Sequence, residues 1–123
     1  MAINVLVVDD NESFLDASCA LLRREGLEVL GVASTSDEAV WRFEDLRPDV
    51  VLVDVNLAGE SGFDLARRLV QADQGRQSMV ILMSTQAAAD LADLIAESPA
   101  TGFLAKSELS ADAIRRILNG GTR

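Results

Sequence analysis

The chain has 123 residues, 49% of them apolar, and carries 20 acidic against 11 basic side chains for a formal net charge of −9. That length encloses one real core and is too short for two, and the acidic balance sets the chain against phosphate backbones and anionic membranes, so direct nucleic-acid binding is not expected. The absence of histidine removes serine-histidine triads, cysteine-histidine pairs and histidine metal ligands together, which leaves carboxylates, hydroxyls and amines for any chemistry.

The opening MAINVLVVDD lacks a basic flank and meets acids too soon for a signal peptide, and no window is apolar for long enough to cross a bilayer, so a cytoplasmic protein is expected. Ile3–Val8 reads as a first strand. Ser13–Glu25 follows as a helix with Leu15, Cys19 and Leu22 at helical spacing, ended by Gly26. The single Cys19 cannot form an internal disulfide, and its place in that apolar stripe makes it a small core residue rather than a reactive thiol. Glu28–Ala33 is a second strand, and Thr35-Ser-Asp-Glu38 resembles a capping box before Ala39, Phe43 and Leu46, with Pro48 closing the helix.

Val50–Asp54 is a third strand, apolar up to its last residue, as expected where helices cover both faces of a sheet. Gly59 and Gly62 mark a loop, and Phe63–Ala72 is a third helix. Met79–Ser84 is a fourth strand, Ala87–Ala96 an alanine-rich helix, and Thr101–Ala105 a short fifth strand. Ser110 caps a last helix through Ala113, Ile114, Ile117 and Leu118. Five strands alternating with five helices imply an α/β doubly wound parallel sheet in three layers, flavodoxin-like, with the order 2-1-3-4-5. Residues 1–119 form the expected domain, and 120–123 a tail or the start of a linker.

In such sheets the functional groups collect beyond the carboxyl ends of the strands. Here the first strand ends in Asp9-Asp10, the third in Asp54, the fourth in Ser84 and the fifth in Ala105-Lys106, the only lysine beside ten arginines. With the order 2-1-3-4-5 these ends are consecutive and share one crevice. Carboxylates so close repel one another unless a cation intervenes, and a hard, oxygen-seeking divalent ion such as magnesium suits a site without histidine or cysteine. One carboxylate is then free to act as a nucleophile toward phosphorus, with lysine and hydroxyl groups neutralising the transferred oxygens. Taken singly, each residue has a plainer reading: Asp9 and Asp10 as caps of the first helix, Asp54 in an Asx-type turn, Ser84 as a cap of the next helix. Capping alone does not explain why the acids and the only lysine all fall at strand ends.

The four stretches VVDDNE, LVDVNLAGESGFDL, ILMST and GFLAKSELS, in order and at these strand ends, resemble the receiver domains of bacterial two-component response regulators over the whole chain. The resemblance implies that Asp54 is the phosphoacceptor, and that Asp9, Asp10, Asp54 and the backbone carbonyl of Asn56 hold magnesium, with manganese as a substitute. It implies Ser84 as the hydroxyl that moves toward the phosphoryl group, Phe103 as the aromatic that follows it, and Lys106 as a phosphoryl contact. The donor would be a sensor histidine kinase or a histidine phosphotransfer domain, meeting the exposed part of the first helix and the loop after Lys106. Phosphorylation would switch the surface around the fourth helix, fifth strand and fifth helix, with homodimerisation as one output. The chain would then be a signalling domain and not a conventional enzyme, limited to its own phosphotransfer and dephosphorylation.

Three positions depart from the family pattern. Ser107 stands where proline commonly follows the lysine, and KSELS resembles the subclass that precedes a LuxR-type helix-turn-helix output. Thr85 replaces a smaller residue and narrows access to the phosphoryl group, and Ala58 stands where proline is frequent, which suggests a looser loop. Asn56 and Gln86, both neutral, point to slow or moderate self-hydrolysis. Two other phosphate-linked readings fit less well. A haloacid-dehalogenase-like phosphatase needs a second aspartate where Asn56 stands, and a flavodoxin-like flavin carrier needs hydroxyls and amides where VDDNES presents acids.

Overall fold

In the computed structural model, which describes residues 3–73, 75 and 78–120, strand formation follows the β-branched runs closely. Strands β1 (Asn4–Val8), β2 (Glu28–Ala33), β3 (Val50–Asp54), β4 (Met79–Ser84) and β5 (Gly102–Ala105) form one parallel sheet in the order β2-β1-β3-β4-β5, as expected. The tail beyond Gly120 lies outside the described residues.

Successive strand residues point to opposite faces, and both faces are covered. Val5, Val7, Val50, Leu52, Ile81 and Met83 pack with Leu15, Cys19 and Leu22 of α1 (Glu12–Arg24) and Ile114 and Ile117 of α5 (Ala111–Leu118). Their neighbours Leu6, Val8, Val51, Val53, Val80 and Leu82 pack with Ala39 and Phe43 of α2 (Ser36–Leu46) and Leu65, Ala66 and Leu69 of α3 (Gly62–Ala72). That two-sided burial is why the central strands read as unbroken apolar runs. Each large side chain so enclosed contributes about 1.5–3 kcal/mol. Cys19 is buried in the first of these layers, and desolvation there pushes its thiol up, which makes it a core residue.

The helix ends follow their capping residues. Asn11 caps α1, its side chain accepting from Phe14 N at 3.0 Å, and Ser110 caps α5, accepting from Ala113 N at 3.0 Å. Thr35 caps α2 through Glu38 N at 3.2 Å, but Glu38 reaches back to Ser34 N at 2.9 Å and not to Thr35, so the expected box is displaced by one residue.

Two stretches differ from the sequence reading. The alanine-rich segment is not one helix: a 3₁₀ turn over Ala88–Leu91 runs into a short α4 (Ala92–Glu97) that buries none of its residues. Alanine favours helix locally but offers too little apolar surface to dock a long one. The loop after β3 also contains a miniature antiparallel ribbon, Asn56–Leu57 against Glu60–Ser61. Its two-residue turn places Ala58 at φ 45° and Gly59 at φ 91°. Proline, locked near −65°, cannot adopt the Ala58 conformation, so its replacement here belongs to a paired turn and not to a loose loop.

Candidate functional site

Register brings the strand ends together. Val8 pairs with Val53, so Asp9 and Asp54 follow side by side; Asp54 pairs with Met83, one residue before Ser84; Ser84 pairs with Ala105, one residue before Lys106. The crevice they line, with Asp10 and Asn56 at its rim, encloses about 650 Å³. Asp9 is fully buried, Asp54 and Ser84 are buried, and Asp10 is exposed.

Of the plainer readings the Asx-type turn at Asp54 is present, whereas Ser84 caps no helix, because the 3₁₀ turn after β4 has Ala87 at its N-cap without a side-chain bond. Asp9 Oδ1 accepts from Asn11 N at 2.9 Å, Asp54 Oδ1 from Asn56 N at 3.2 Å, and Ser84 Oγ from Gln86 N at 2.9 Å. Each side chain thus closes the turn that follows its strand, and each keeps further capacity: a second carboxylate oxygen, or the hydroxyl hydrogen. Capping of α1 falls to Asn11 and leaves Asp9 and Asp10 free of that duty.

Lys106 crosses from β5 into the acids. Its Nζ lies 2.5 Å from Asp9 Oδ2 and 3.2 Å from Asp54 Oδ2, and it donates an aligned hydrogen bond to the latter. The Asp9 contact is close but poorly angled, so Asp9 Oδ2, buried, has an ion-pair neighbour and no aligned donor. Burial alone would lower the Lys106 pKa, but the Asp9 and Asp54 carboxylates outweigh it and hold the ammonium above its ordinary value. Asp54 is also pushed up, first by burial and then by the Asp9 charge, against the Asn56 amide and Lys106. In an isolated ion pair the acid would move down. Here one ammonium serves two buried carboxylates, so Asp54 remains under-compensated.

That deficit fits a cation. Asp9, Asp10 and Asp54 each offer an oxygen within 4.8 Å of the others, a set of hard ligands suited to magnesium, and the unaligned Asp9 Oδ2 has acceptor capacity to give.

The family model for the response regulator receiver domain matches residues 5–119. The chain belongs to this family. Receiver domains of response regulators are signalling modules and not conventional enzymes. This receiver domain is 32% identical over 115 residues to the sensory transduction protein RegX3 of Mycolicibacterium smegmatis, a match covering 93% of this chain and 48% of that protein. It spans about half the length of the curated relatives it matches. Among solved structures, a LuxR-family two-component response regulator from Aurantimonas superposes with a TM-score of 0.82 at 25% identity, covering 98% of this chain and 87% of that one. A response regulator from Burkholderia pseudomallei, solved with a phosphorylated aspartic acid, a calcium ion and citrate, superposes at 0.79 with 27% identity, covering 94% of this chain and 66% of that one.

Phe103 lies outside the acid cluster, partly buried against the α2 and α3 layer, on the same side of the sheet as Ser84 by strand alternation. Two residues that position the site were not singled out from sequence. Gly62 opens α3 directly under the end of β3: a Cβ there would stand 2.1 Å from the Asp54 carbonyl oxygen, and only glycine permits that approach. In the sequence it was legible only as a loop glycine. Phe14, in the first turn of α1, places its ring centroid 4.4 Å from Lys106 Nζ. Its one sequence signal was an aromatic four residues after the acidic pair. No peptide bond among the described residues is cis, Lys106–Ser107 included. Among them, too, no helix is long and apolar enough to cross a membrane.

Proposed function

We propose that this receiver domain takes a phosphoryl group onto Asp54 from the phosphohistidine of a sensor kinase or a histidine phosphotransfer domain. An Asp54 oxygen forms the new O–P bond as the donor's P–N bond breaks. The bonding pair stays with the ring nitrogen, and a donor imidazole protonated on its other nitrogen leaves neutral. Asp9, Asp10, Asp54 and the Asn56 backbone carbonyl would hold magnesium, or manganese in its place. Magnesium, when bound, supplies charge neutralisation for the carboxylates and the phosphoryl oxygens. Lys106 exchanges its Asp54 contact for a phosphoryl oxygen, and Ser84 moves inward to donate its hydroxyl hydrogen to another.

The observation that carries this reading is that Lys106 Nζ reaches both Asp9 and Asp54 across the ends of three strands. It is supported by family membership and by the phosphorylated aspartic acid in the Burkholderia relative. With Ser84 drawn inward, Phe103 turns into the space it leaves, and the surface of α4, β5 and α5 shifts between two states. That α4 buries no residue fully and seats only Ile95 partly against the core makes it a cheap element to move. Residues 1–119 would be the receiver and 120–123 a tail or the start of a linker in a cytoplasmic regulator, with KSELS favouring a LuxR-type DNA-binding output and phosphorylation-linked dimerisation. Neutral Asn56 and Gln86 favour slow or moderate self-hydrolysis. Mass spectrometry after incubation with magnesium and acetyl phosphate tests the assignment: the parent gains one phosphoryl mass and Asp54→Asn does not, whereas equal gain in both removes Asp54 from the role.

A further inference from the structure

Four contacts around Lys106 close on themselves. Asp9 Oδ1 accepts from Asn11 N at 2.9 Å, and Asn11 Oδ1 accepts from Phe14 N at 3.0 Å. The Phe14 ring then faces Lys106 Nζ with its centroid 4.4 Å away, and that ammonium returns to Asp9 Oδ2. The ring is thus tied by its own backbone to the carboxylate that its ammonium touches. Phe14 is partly buried against the α1 and α5 layer, which fixes the ring from behind, and only 13% of the Lys106 side chain is exposed.

An ammonium has three donors. One is aligned on Asp54, Asp9 Oδ2 lies beside the charge as an ion-pair partner without an aligned donor, and the ring closes a third side. A carboxylate or hydroxyl in that place would bind the ammonium in one direction and compete with an incoming anion. The negative face of an aromatic ring attracts the charge with little directional demand and takes no proton, so the head group can pivot from one oxygen to another at nearly constant energy. An aliphatic side chain of similar size would exclude water equally well but leave the charge without that attraction.

We propose that Phe14 is a positioning residue that holds Lys106 over the acids by a cation–π contact and lets it pass from Asp54 to the phosphoryl group. The proposal rests on the phosphoacceptor reading above. Because Lys106 is the only lysine, protein grown with isotope-labelled lysine gives one side-chain spin system, readable without any phosphorylation. In the full chain its terminal methylene protons should be shifted upfield by the ring and show cross-relaxation to the Phe14 ring protons. Phe14→Leu should abolish both signals and Phe14→Tyr should keep the upfield shift.

In parallel, phosphorylation by saturating acetyl phosphate with magnesium should slow about three- to tenfold in Phe14→Leu, the range expected for a partly shielded cation–π contact, and recover in Phe14→Tyr. Circular dichroism verifies the fold of both variants, and Phe14→Met takes the place of Phe14→Leu if the latter unfolds. Unshifted lysine protons in the parent, or equal rates in Phe14→Leu and parent, or equal loss in the leucine and tyrosine variants, would overturn the positioning role. A parent that shows the lysine–ring contact but never gains a phosphoryl group would instead remove the phosphoacceptor reading.

Discussion

On one side of the crevice α3, eleven residues long, buries Gly62, Phe63, Leu65, Ala66 and Leu69; on the other, α4 has six residues and buries none fully, its preceding 3₁₀ turn anchored by Leu91. The buried acids belong to the firm side. Asp9 and Asp54 end central strands flanked by other strands, and Gly62 locks α3 beneath Asp54. Ser84 and Phe103 lie toward the side of α4. A receiver of this design keeps its buried acids fixed and concentrates its freedom where little packing is lost by moving.

Gly62→Ala should break the firm side most severely, at roughly 3 kcal/mol or more. The added carbon meets backbone at 2.1 Å from the Asp54 carbonyl oxygen and 2.7 Å from Val55 Cα, so the end of β3 has to shift. Urea unfolding measures this, and a parent-like midpoint would show that the close approach is unimportant.

A paired truncation sharpens the contrast. Leu65 is fully buried and Leu94 is 46% exposed. Leu65→Ala should cost about 2–5 kcal/mol and Leu94→Ala about 0.5 kcal/mol or less by the same measurement. Comparable losses would mean that α4 is as firmly seated as α3.

The smallest effect concerns pH in metal-free protein. Lys106 is held above the ordinary lysine value of 10.5, so its stabilisation is whole below pH 10.5 and is lost as pH rises through the folded-state value. Asp54 is held above the ordinary value of 3.8, so its ionisation costs stability above that pH, and the cost vanishes as pH falls below 3.8. Asp54→Asn should therefore raise the melting temperature at neutral pH, where the charge it removes is under-compensated. A lower melting temperature would mean that Lys106 satisfies Asp54 fully.

Most of the fold was legible because each element carries its own local signal. Val50–Asp54 and Met79–Ser84 came through residue for residue, since strands buried on both faces leave unbroken apolar runs. Ser110 was legible as a cap, because N-capping is chemistry within four residues. The reading failed at Ala87–Ala96, where local propensity favours helix but tertiary packing sets its length, and at Asn56–Ser61, where two-residue strands are too short for any periodicity to register.

Local patterns along the chain carried the alternation of strands and helices, and with it the convergence of Asp9, Asp10, Asp54, Ser84 and Lys106 at one end of the sheet, because a doubly wound topology leaves few other places for strand ends to go. How those groups divide their bonds emerged with the packed fold: one oxygen of each buried acid to its own turn and the other toward Lys106, with Phe14 facing the ammonium and Gly62 underneath. Such choices depend on distances and angles between segments remote in the chain, and neither spacing nor composition carries them.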